Sequence, residues 1–200
     1  KRDQFPHVKY EEFQYLQKNM DDIDKISFNF FTNNQTIKYD DNTVNSIRVK
    51  PSTNEFFEIE PFKVEKGRLF NEAESNSGTA VIVIGSEVAD GLFKGNEPIG
   101  KQIRLYGQRY TVIGVLKKMR ENTFGDSNDV AVFLPVNNIR KLYGDNSNIF
   151  TPAILVKPKE GVDIEEFKAE LTNKVRNVRG LRAGEINNFF VNILSGFTDF

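Results

Sequence analysis

A short, fully apolar stretch in the middle of the chain constrains the fold more than any other feature. Residues 80–84 read AVIVI, and Gly85 and Ser86 follow directly. An apolar run of this length, rich in β-branched residues and without polar alternation, is typical of a strand that is buried on both faces. The chain is therefore expected to contain a sheet with further structure packed on each side of this strand.

A helix is predicted to begin directly after this strand. Ser86 can cap its first turn by accepting a hydrogen bond from a free backbone N–H, and Gly95 is placed to end it. The apolar positions recur at helical spacing and form an inward face made of Val88, Ala89, Leu92 and Phe93.

The first fifty residues read as helix, strand, strand. Residues 10–20 predict an amphipathic helix, because apolar side chains recur on one face at Phe13, Leu16 and Met20. Residues 23–31 alternate apolar and polar positions, and residues 44–50 follow after a turn-rich segment, so we expect a strand pair.

The middle of the chain is predicted to be mostly β, with two short helices. A short strand is expected within residues 61–70, and a hairpin is expected from residues 101–105 and 110–116, turning at Gly107 and Gln108. A strand at residues 129–135 then leads into the second helix, whose common face holds Ile139, Leu142 and Tyr143 and whose cap is Gly144.

From Thr151 onward the pattern predicts a strand, a helix and a closing strand within residues 188–197, which together resemble a βαβ unit. Asp163 and Glu166 resemble a capping box that opens the helix, which should end near Arg179. Its inward face is predicted to consist of Ile164, Phe167, Leu171, Val175 and Val178.

One segment raises the question of a nucleotide site. Residues 95–102 read GNEPIGKQ, one residue short of the phosphate-binding pattern G-x-x-x-x-G-K-[ST]. Such a loop leaves a strand and enters a helix whose N-terminus faces the phosphates, whereas this segment is predicted to leave a helix and enter a strand. Pro98 also removes a backbone donor, and Gln102 replaces the magnesium-binding hydroxyl. We therefore reject a nucleotide hydrolase and read the segment as a turn.

Composition excludes several classes of protein. Lys and Arg total 27 against 28 Asp and Glu, so the chain has no electrostatic footprint for nucleic acid. It has no cysteine, which excludes disulfides, thiolate metal sites and thiol catalysis. The longest apolar runs are about five residues, against the roughly 20 that cross a bilayer. Because the chain begins at Lys1, we expect a processed product or a piece of a longer protein.

Other candidate chemistry is better explained by turns, caps or core packing. His7 is the single histidine, so a two-histidine metal site is excluded. The aspartates Asp21, Asp22, Asp24, Asp40 and Asp41 lack the spacing of a calcium loop. The basic residues 117–120 read as a solvated strand end, and of Phe189 and Phe190 at least one is expected in the core.

The order of several motifs carries a resemblance that no single motif does. The segments KGRLF, VIVIGSEVADGLF, PIGKQIRLYGQRYTVIGVL, FGDSNDVAVFLPV and ILVKPKEGVDIEEFKAELTNKVRNVRG resemble the MacB-like periplasmic core domain in order and spacing. The resemblance covers essentially the whole chain. It implies an α+β fold, with a discontinuous porter-like α/β subdomain (residues 1–55 and 151–200) and an inserted β-rich, sabre-like subdomain (residues 56–150).

The residues that match the family by position are all expected to be structural, since none supplies a nucleophile or an acid–base pair. These residues are Gly67, Arg68, Phe70, Gly85, Leu92, Phe93, Gly100, Lys101, Gly114 and Pro135. Catalytic, metal and cofactor sites are not expected in this domain, because ATP and magnesium would bind the transporter's ATPase.

The resemblance implies a mechanical function for the domain. Such domains lie between two membrane helices of an ABC-transporter permease, on the periplasmic side of the bacterial inner membrane, and transmit ATP-driven motion. The implied partners are the membrane helices, a second permease copy, a cytoplasmic ATPase, and a periplasmic membrane-fusion protein or lipoprotein carrier. The cargo and the residues that contact a partner are not indicated. A free-standing secreted binding module is the alternative.

Overall fold

Helices and strands alternate along most of the chain. The computed structural model describes residues 5–119, 127–145, 148–189 and 191. The helices are α1 (Tyr10–Asn19), α2 (Phe56–Ile59), α3 (Glu72–Ser77), α4 (Ser86–Phe93), α5 (Val136–Tyr143) and α6 (Ile164–Val178). The strands are β1 (Ile23–Phe31), β2 (Gln35–Tyr39), β3 (Asn42–Ser52), β4 (Val64–Gly67), β5 (Val81–Ile84), β6 (Gln102–Leu105), β7 (Gln108–Leu116), β8 (Ala131–Pro135) and β9 (Thr151–Pro158).

A long antiparallel hairpin organises the sheet. Both β1 and β2 pair with β3, through Asn29 opposite Ser52 and through Ile37 opposite Val44. Strands β1 and β2 are therefore consecutive parts of one arm of the hairpin, and β3 is the other arm. The outer edge of β1 pairs with β9, whereas β2 pairs with β6.

The other strands close a ring around one end of this hairpin. The strand order is β2-β6-β7-β5-β8-β3-β1-β9, with β4 added beside β7. Because β2 also pairs with β3, the strands from β2 to β3 in this order form a closed cycle of pairings. The hairpin thus belongs to the ring at one end and to the β1–β9 sheet at the other.

Strand β5 is buried on both faces, as its sequence predicts. Val81 and Val83 pack into an aromatic cluster with Phe56, Phe57, Phe70 and Phe133. Ile82 and Ile84 face the larger core, which also receives the predicted inward faces of α1 and α4 and, from α6, Phe167, Leu171 and Val175. Covering both faces requires structure on each side of the sheet, and the helices and the aromatic cluster supply it.

Several local predictions are confirmed. Helices α1, α4, α5 and α6 lie where the periodicity predicts them, and Asp163 caps α6 by accepting a hydrogen bond from Glu166 N at 2.9 Å. Gly144 caps α5 with a φ of 74°. The predicted mixture of helices and sheet is confirmed, whereas the boundaries between the two subdomains stay a prediction.

Other local predictions are wrong in detail. Ser86 is the first residue of α4 rather than its cap, since Gly85 takes the cap position and Ser86 Oγ has no hydrogen-bond partner within the described residues. The β6–β7 turn lies at Tyr106 and Gly107, both with positive φ, and Gln108 already pairs in β7.

The middle of the chain holds more helix than predicted. It contains α2 and α3 in addition to α4 and α5. In the first fifty residues, β2 is a strand that the sequence pattern does not predict. Of the predicted apolar face of α5, Ile139 is buried, whereas Leu142 and Tyr143 are exposed.

In the described part of the predicted closing strand, Asn188 and Phe189 form a bend rather than a strand, and most of that segment lies outside the described residues. Within the described ranges no helix combines the length and apolar character needed to cross a bilayer.

Lys50, on β3, is expected to make the stability of the folded state depend on pH. Its Nζ donates a hydrogen bond to Asn128 Oδ1 at 2.9 Å, and burial lowers the pKa of Lys50 from 10.5 to about 8, with Glu60 opposing the shift. Because the unfolded chain then binds more protons between pH 8 and 10.5, the folded state gains stability as pH rises through this window.

We therefore expect wild type to gain stability relative to Lys50→Met between pH 8 and 10, as measured by urea unfolding. The comparison between the two proteins cancels the titration of tyrosines over the same range. A difference that stays constant with pH would contradict the assignment to Lys50.

Candidate functional site

The glycine and lysine loop at residues 95–102 is a helix-to-strand connection. It leaves the C-terminus of α4 and enters β6 at Gln102, which is the order that the sequence predicts. Gly95 and Gly100 have φ values of 87° and 84°, and Lys101 is exposed. The loop therefore does not precede a helix N-terminus, which is the feature that a phosphate loop uses to bind its anion.

Two of the family-matched glycines allow β4 and β7 to approach closely. Gly67 lies opposite Gly114, and a Cβ on Gly67 would lie 2.0 Å from the backbone oxygen of Ile113. A Cβ on Gly114 would lie 2.2 Å from the backbone oxygen of Arg68. The Arg68 guanidinium makes two hydrogen bonds to Glu74 at 2.7 and 3.0 Å on the surface.

The other matched residues lie in turns and in the core. A Cβ on Gly85 would meet the backbone oxygen of Asn128 at 2.2 Å. Phe70, Leu92 and Phe93 are buried, and Pro135 ends β8 as the cap of α5. The structure does not bring the ten residues into one site, so their shared structural role stays a prediction.

The remaining sequence candidates do not form a site either. His7 is exposed, and the aspartates lie at exposed turns or strand ends. In the described part of the chain, three or more His, Cys, Asp or Glu side chains do not come together as a metal site. Phe189 is buried as expected, whereas Phe190 and Arg120 lie outside the described residues.

A buried ion pair joins the first helix to the last. Arg179 Nε donates to Glu12 Oε2 at 2.7 Å and Arg179 Nη2 donates to Glu12 Oε1 at 3.2 Å. Only 8% of the Arg179 side chain and 7% of the Glu12 side chain are exposed. Glu12 Oε1 also accepts the backbone N–H of Lys9 at 2.8 Å.

The same arginine holds the segment that follows α6. Arg179 Nη1 donates to the backbone oxygen of Asn188 at 2.8 Å and to Asn188 Oδ1 at 3.0 Å. Its guanidinium also lies 5.4 Å from the centre of the Phe189 ring. We call Glu12, Arg179, Asn188 and Phe189 the terminal junction, because they connect two segments that are 167 residues apart in sequence.

Sequence reasoning missed this junction, although a signal was present. Glu12 lies four residues before Leu16 and Arg179 four residues after Val175, so each continues the apolar face of its own helix. A charge on an apolar face must find a partner when it is buried. The local pattern does not identify the partner of either charged side chain, because the two helices are far apart in sequence.

A polar cleft of about 420 Å³ opens beside α1. Helix α1, the turn after β3, and helices α3 and α5 each contribute to its walls. We call it the α1 cleft, and its lining residues are Tyr10, Phe13, Gln14, Gln17, Thr53, Glu55, Glu72, Asn76, Asn137 and Arg140.

Hydrogen bonds connect α5 to both neighbouring helices at one end of the α1 cleft. Asn137 Nδ2 donates to the backbone oxygen of Ser75 at 2.9 Å and to the Tyr10 hydroxyl at 3.3 Å. Arg140 stacks 4.0 Å from the centre of the Tyr10 ring and donates to Asn137 Oδ1 at 2.9 Å. These contacts set the position of α1 against α3 and α5.

Comparison with known proteins identifies one family. The family model described as MacB-like periplasmic core domain matches residues 2–174. A macrolide export ATP-binding/permease protein MacB from Neisseria meningitidis serogroup A is 32% identical over 134 residues, which cover 67% of this chain and 20% of that protein. The MacB protein of Bdellovibrio bacteriovorus is 32% identical over 127 residues, covering 62% and 19%. The chain spans about one fifth of the length of these curated relatives.

Solved structures share the fold. The extracellular domain of the noncanonic ABC-type transporter YknZ from Gram-positive bacteria superimposes with a TM-score of 0.72 at 22% identity, covering 88% of this chain and 86% of that one. The periplasmic region of MacB from Actinobacillus actinomycetemcomitans gives a TM-score of 0.73 at 18% identity, covering 88% and 77%. The fold and the match to the family model agree with the resemblance that the motifs indicate. This chain belongs to the MacB-like periplasmic core domain family.

Proposed function

We propose that this chain is the extracytoplasmic domain of an ABC-transporter permease and that it transmits ATP-driven motion of membrane helices to a cargo or partner. The family model, the MacB relatives and the similar folds of two transporter domains support this function. The family is part of a transporter permease and is not a catalytic family.

The terminal junction is the observation that carries the proposal. A domain that relays motion from two membrane attachments needs both attachments to act on one rigid body. Glu12 and Arg179 join the first helix to the last, and Asn188 connects the segment that follows. A buried pair with two parallel hydrogen bonds resists separation better than an exposed one, so force on either segment reaches both helices.

The proposed assembly places the energy source outside this domain. ATP and magnesium would bind a cytoplasmic ABC ATPase, fused or separate, and this domain would hold neither. The proposed partners are the permease's own membrane helices, a second permease copy, and a membrane-fusion protein or lipoprotein carrier. The proposed location is the periplasmic side of the bacterial inner membrane, with residues 1–55 and 151–200 as the porter-like part and 56–150 as the sabre-like part.

The test uses the full-length permease assembled with its ATPase in membranes. A nitroxide is placed at the exposed turn residue Asn96 through Asn96→Cys, and a second one on the other permease copy. We expect the distance distribution between the two nitroxides, measured by double electron–electron resonance, to shift between the nucleotide-free and ATP-bound states. Glu12→Gln is expected to reduce this shift because it weakens the terminal junction.

The matched control is Arg68→Met, which removes an exposed ion pair elsewhere and should leave the shift unchanged. Unchanged distances in the wild-type assembly would contradict the proposal.

The complete gene product offers a simpler check, because a permease needs apolar stretches of about 20 residues on both sides of this domain. A cleavable signal without membrane helices would instead favour a free-standing secreted module.

A further inference from the structure

Three basic side chains stand side by side on the outer surface of the ring of strands. Lys38 on β2 lies directly opposite Arg104 on β6, and Arg104 lies directly opposite Arg109 on β7. Neighbouring strands are about 4.8 Å apart, and directly opposite residues point to the same face of a sheet. All three side chains are exposed. They form one row across three strands, which we call the basic row.

The basic row points away from the core. The residues next to it in sequence, Ile37, Ile103 and Tyr110, are fully buried inside the ring. Successive side chains of a strand point to opposite faces, so the three cations face the solvent.

The chain itself does not neutralise the basic row. Within the part of the chain that the structure describes, none of the three side chains makes an ion pair or a side-chain hydrogen bond. Asp40, two residues after Lys38 in the β2–β3 turn, is not joined to the row by an ion pair in the same residues. Like charges directly opposite each other destabilise a sheet. Because basic and acidic residues nearly balance, at 27 and 28, composition does not account for such a row.

A second, apolar surface lies across the turn between β6 and β7. Leu142 and Tyr143, at the end of α5, are 39% and 36% exposed, and Ile149 is 50% exposed. We call these three residues the apolar rim. The Tyr143 ring lies 5.9 Å from the ring of Tyr106, a residue of that turn, and both contact the ring of Phe150. Large apolar side chains that are exposed as a group are typical of a surface that binds another molecule.

The turn between the two surfaces is open. A Cβ on Gly107, the second turn residue, would have nothing within 4 Å among the described residues. The basic row lies on the outer side of the sheet, whereas α5 packs on the inner side through Ile139. A ligand that reaches both surfaces must therefore pass over this turn.

A polypeptide segment fits the two surfaces better than other partners do. A flat bilayer would meet one side of the turn, and a small anion would reach the basic row alone. A second copy of this chain, in a two-fold contact centred on this surface, would place the basic row against itself, where like charges repel. The charge of the row requires a segment rich in carboxylates.

We propose that the basic row and the apolar rim together bind an acidic segment of a partner protein. Its carboxylates would pair with Lys38, Arg104 and Arg109, and an apolar side chain would cover the rim. Guanidinium groups bind carboxylates through two parallel hydrogen bonds, and protein interfaces commonly place charged groups around apolar contacts. Binding at this surface follows from its own chemistry and does not depend on the proposed transport function.

The test measures the fluorescence anisotropy of a rhodamine-labelled peptide mixed with the 200-residue chain. The probe is Glu-Leu-Glu-Tyr-Glu-Leu-Glu with a blocked end, and its counterpart carries lysine in place of every glutamate. We expect saturable binding of the acidic peptide that weakens as sodium chloride is added, and no binding of the lysine peptide. The double variant Arg104→Gln/Arg109→Gln should weaken binding about tenfold, since each substitution removes a charged contact.

The matched control is Lys159→Gln, which removes an exposed lysine that follows β9 and should bind like wild type. Leu142→Ser keeps all three cations and should weaken binding by a smaller factor than the double variant. Thermal melting of each variant checks that the fold is retained.

The proposal is overturned if the acidic peptide does not bind, or if it binds the double variant as tightly as wild type. Binding to phosphatidylglycerol vesicles that the double variant loses, without binding of the peptide, would assign the surface to a membrane instead. A dimer in sedimentation velocity that the double variant loses would assign it to a second copy of this chain.

Discussion

Arg179→Met is expected to lower the free energy of unfolding of this chain by about 3–5 kcal/mol. The substitution leaves the Glu12 carboxylate buried without the guanidinium that now neutralises it. It also removes the two hydrogen bonds that hold Asn188. Urea unfolding followed by circular dichroism measures the change.

The matched control is Arg68→Met, which breaks an ion pair in which 54% of the arginine side chain is exposed. Exposed pairs contribute about 0–1 kcal/mol, so this variant should unfold close to wild type. Glu12→Leu combined with Arg179→Met removes both charges and should be less destabilising than Arg179→Met alone. If Arg179→Met unfolds as close to wild type as Arg68→Met is expected to, the terminal junction does not stabilise the fold.

Gly67→Ala is expected to lower the free energy of unfolding by about 2–5 kcal/mol. Gly67 has a φ of 70°, and its added Cβ would lie 2.0 Å from the backbone oxygen of Ile113 and 2.9 Å from Ile99 Cδ1. Backbone atoms of a paired strand cannot move aside as a flexible side chain can, so β4 would separate from β7.

Gly100→Ala is the control for the backbone contribution. Gly100 has a φ of 84°, but nothing lies within 4 Å of the added Cβ. Its cost should therefore be limited to the left-handed conformation, about 1–2 kcal/mol. If both alanine variants melt at the same temperature, the close approach of β4 and β7 has no energetic consequence.

Elements with a strong local pattern could be predicted from the sequence. Strand β5 has no polar residue, and α6 repeats its apolar face over four turns, so neighbouring residues alone define their structure. Strand β2 was missed because only Ile37 of its five residues is buried. Its stability comes from pairing with β3 and β6, and neither partner is visible in the local sequence.

Helix α3 was missed although it carries a readable signal. Asn71 accepts a hydrogen bond from Glu74 N at 2.9 Å, and the Glu74 side chain accepts one from Asn71 N, which makes a capping box. Gly78 then ends the helix in the left-handed conformation. The segment between them is almost entirely polar, so a search for apolar periodicity overlooks it.

The candidate sites could not be predicted for a different reason. The terminal junction joins residues near opposite ends of the sequence, and the α1 cleft is built from four segments of the chain. The resemblance to a family identifies the fold but does not assign these contacts.

During synthesis of the chain, the long hairpin is complete before the partner strand of its outer edge exists. Strand β1 pairs on its outer edge with β9, so this edge stays open until residues 151–158 have left the ribosome. Contacts so distant in sequence are slow to form, because a long loop must close first. A chain truncated before Thr151 would keep β1 as an unprotected strand of alternating phenylalanines, able to pair with other unfinished chains.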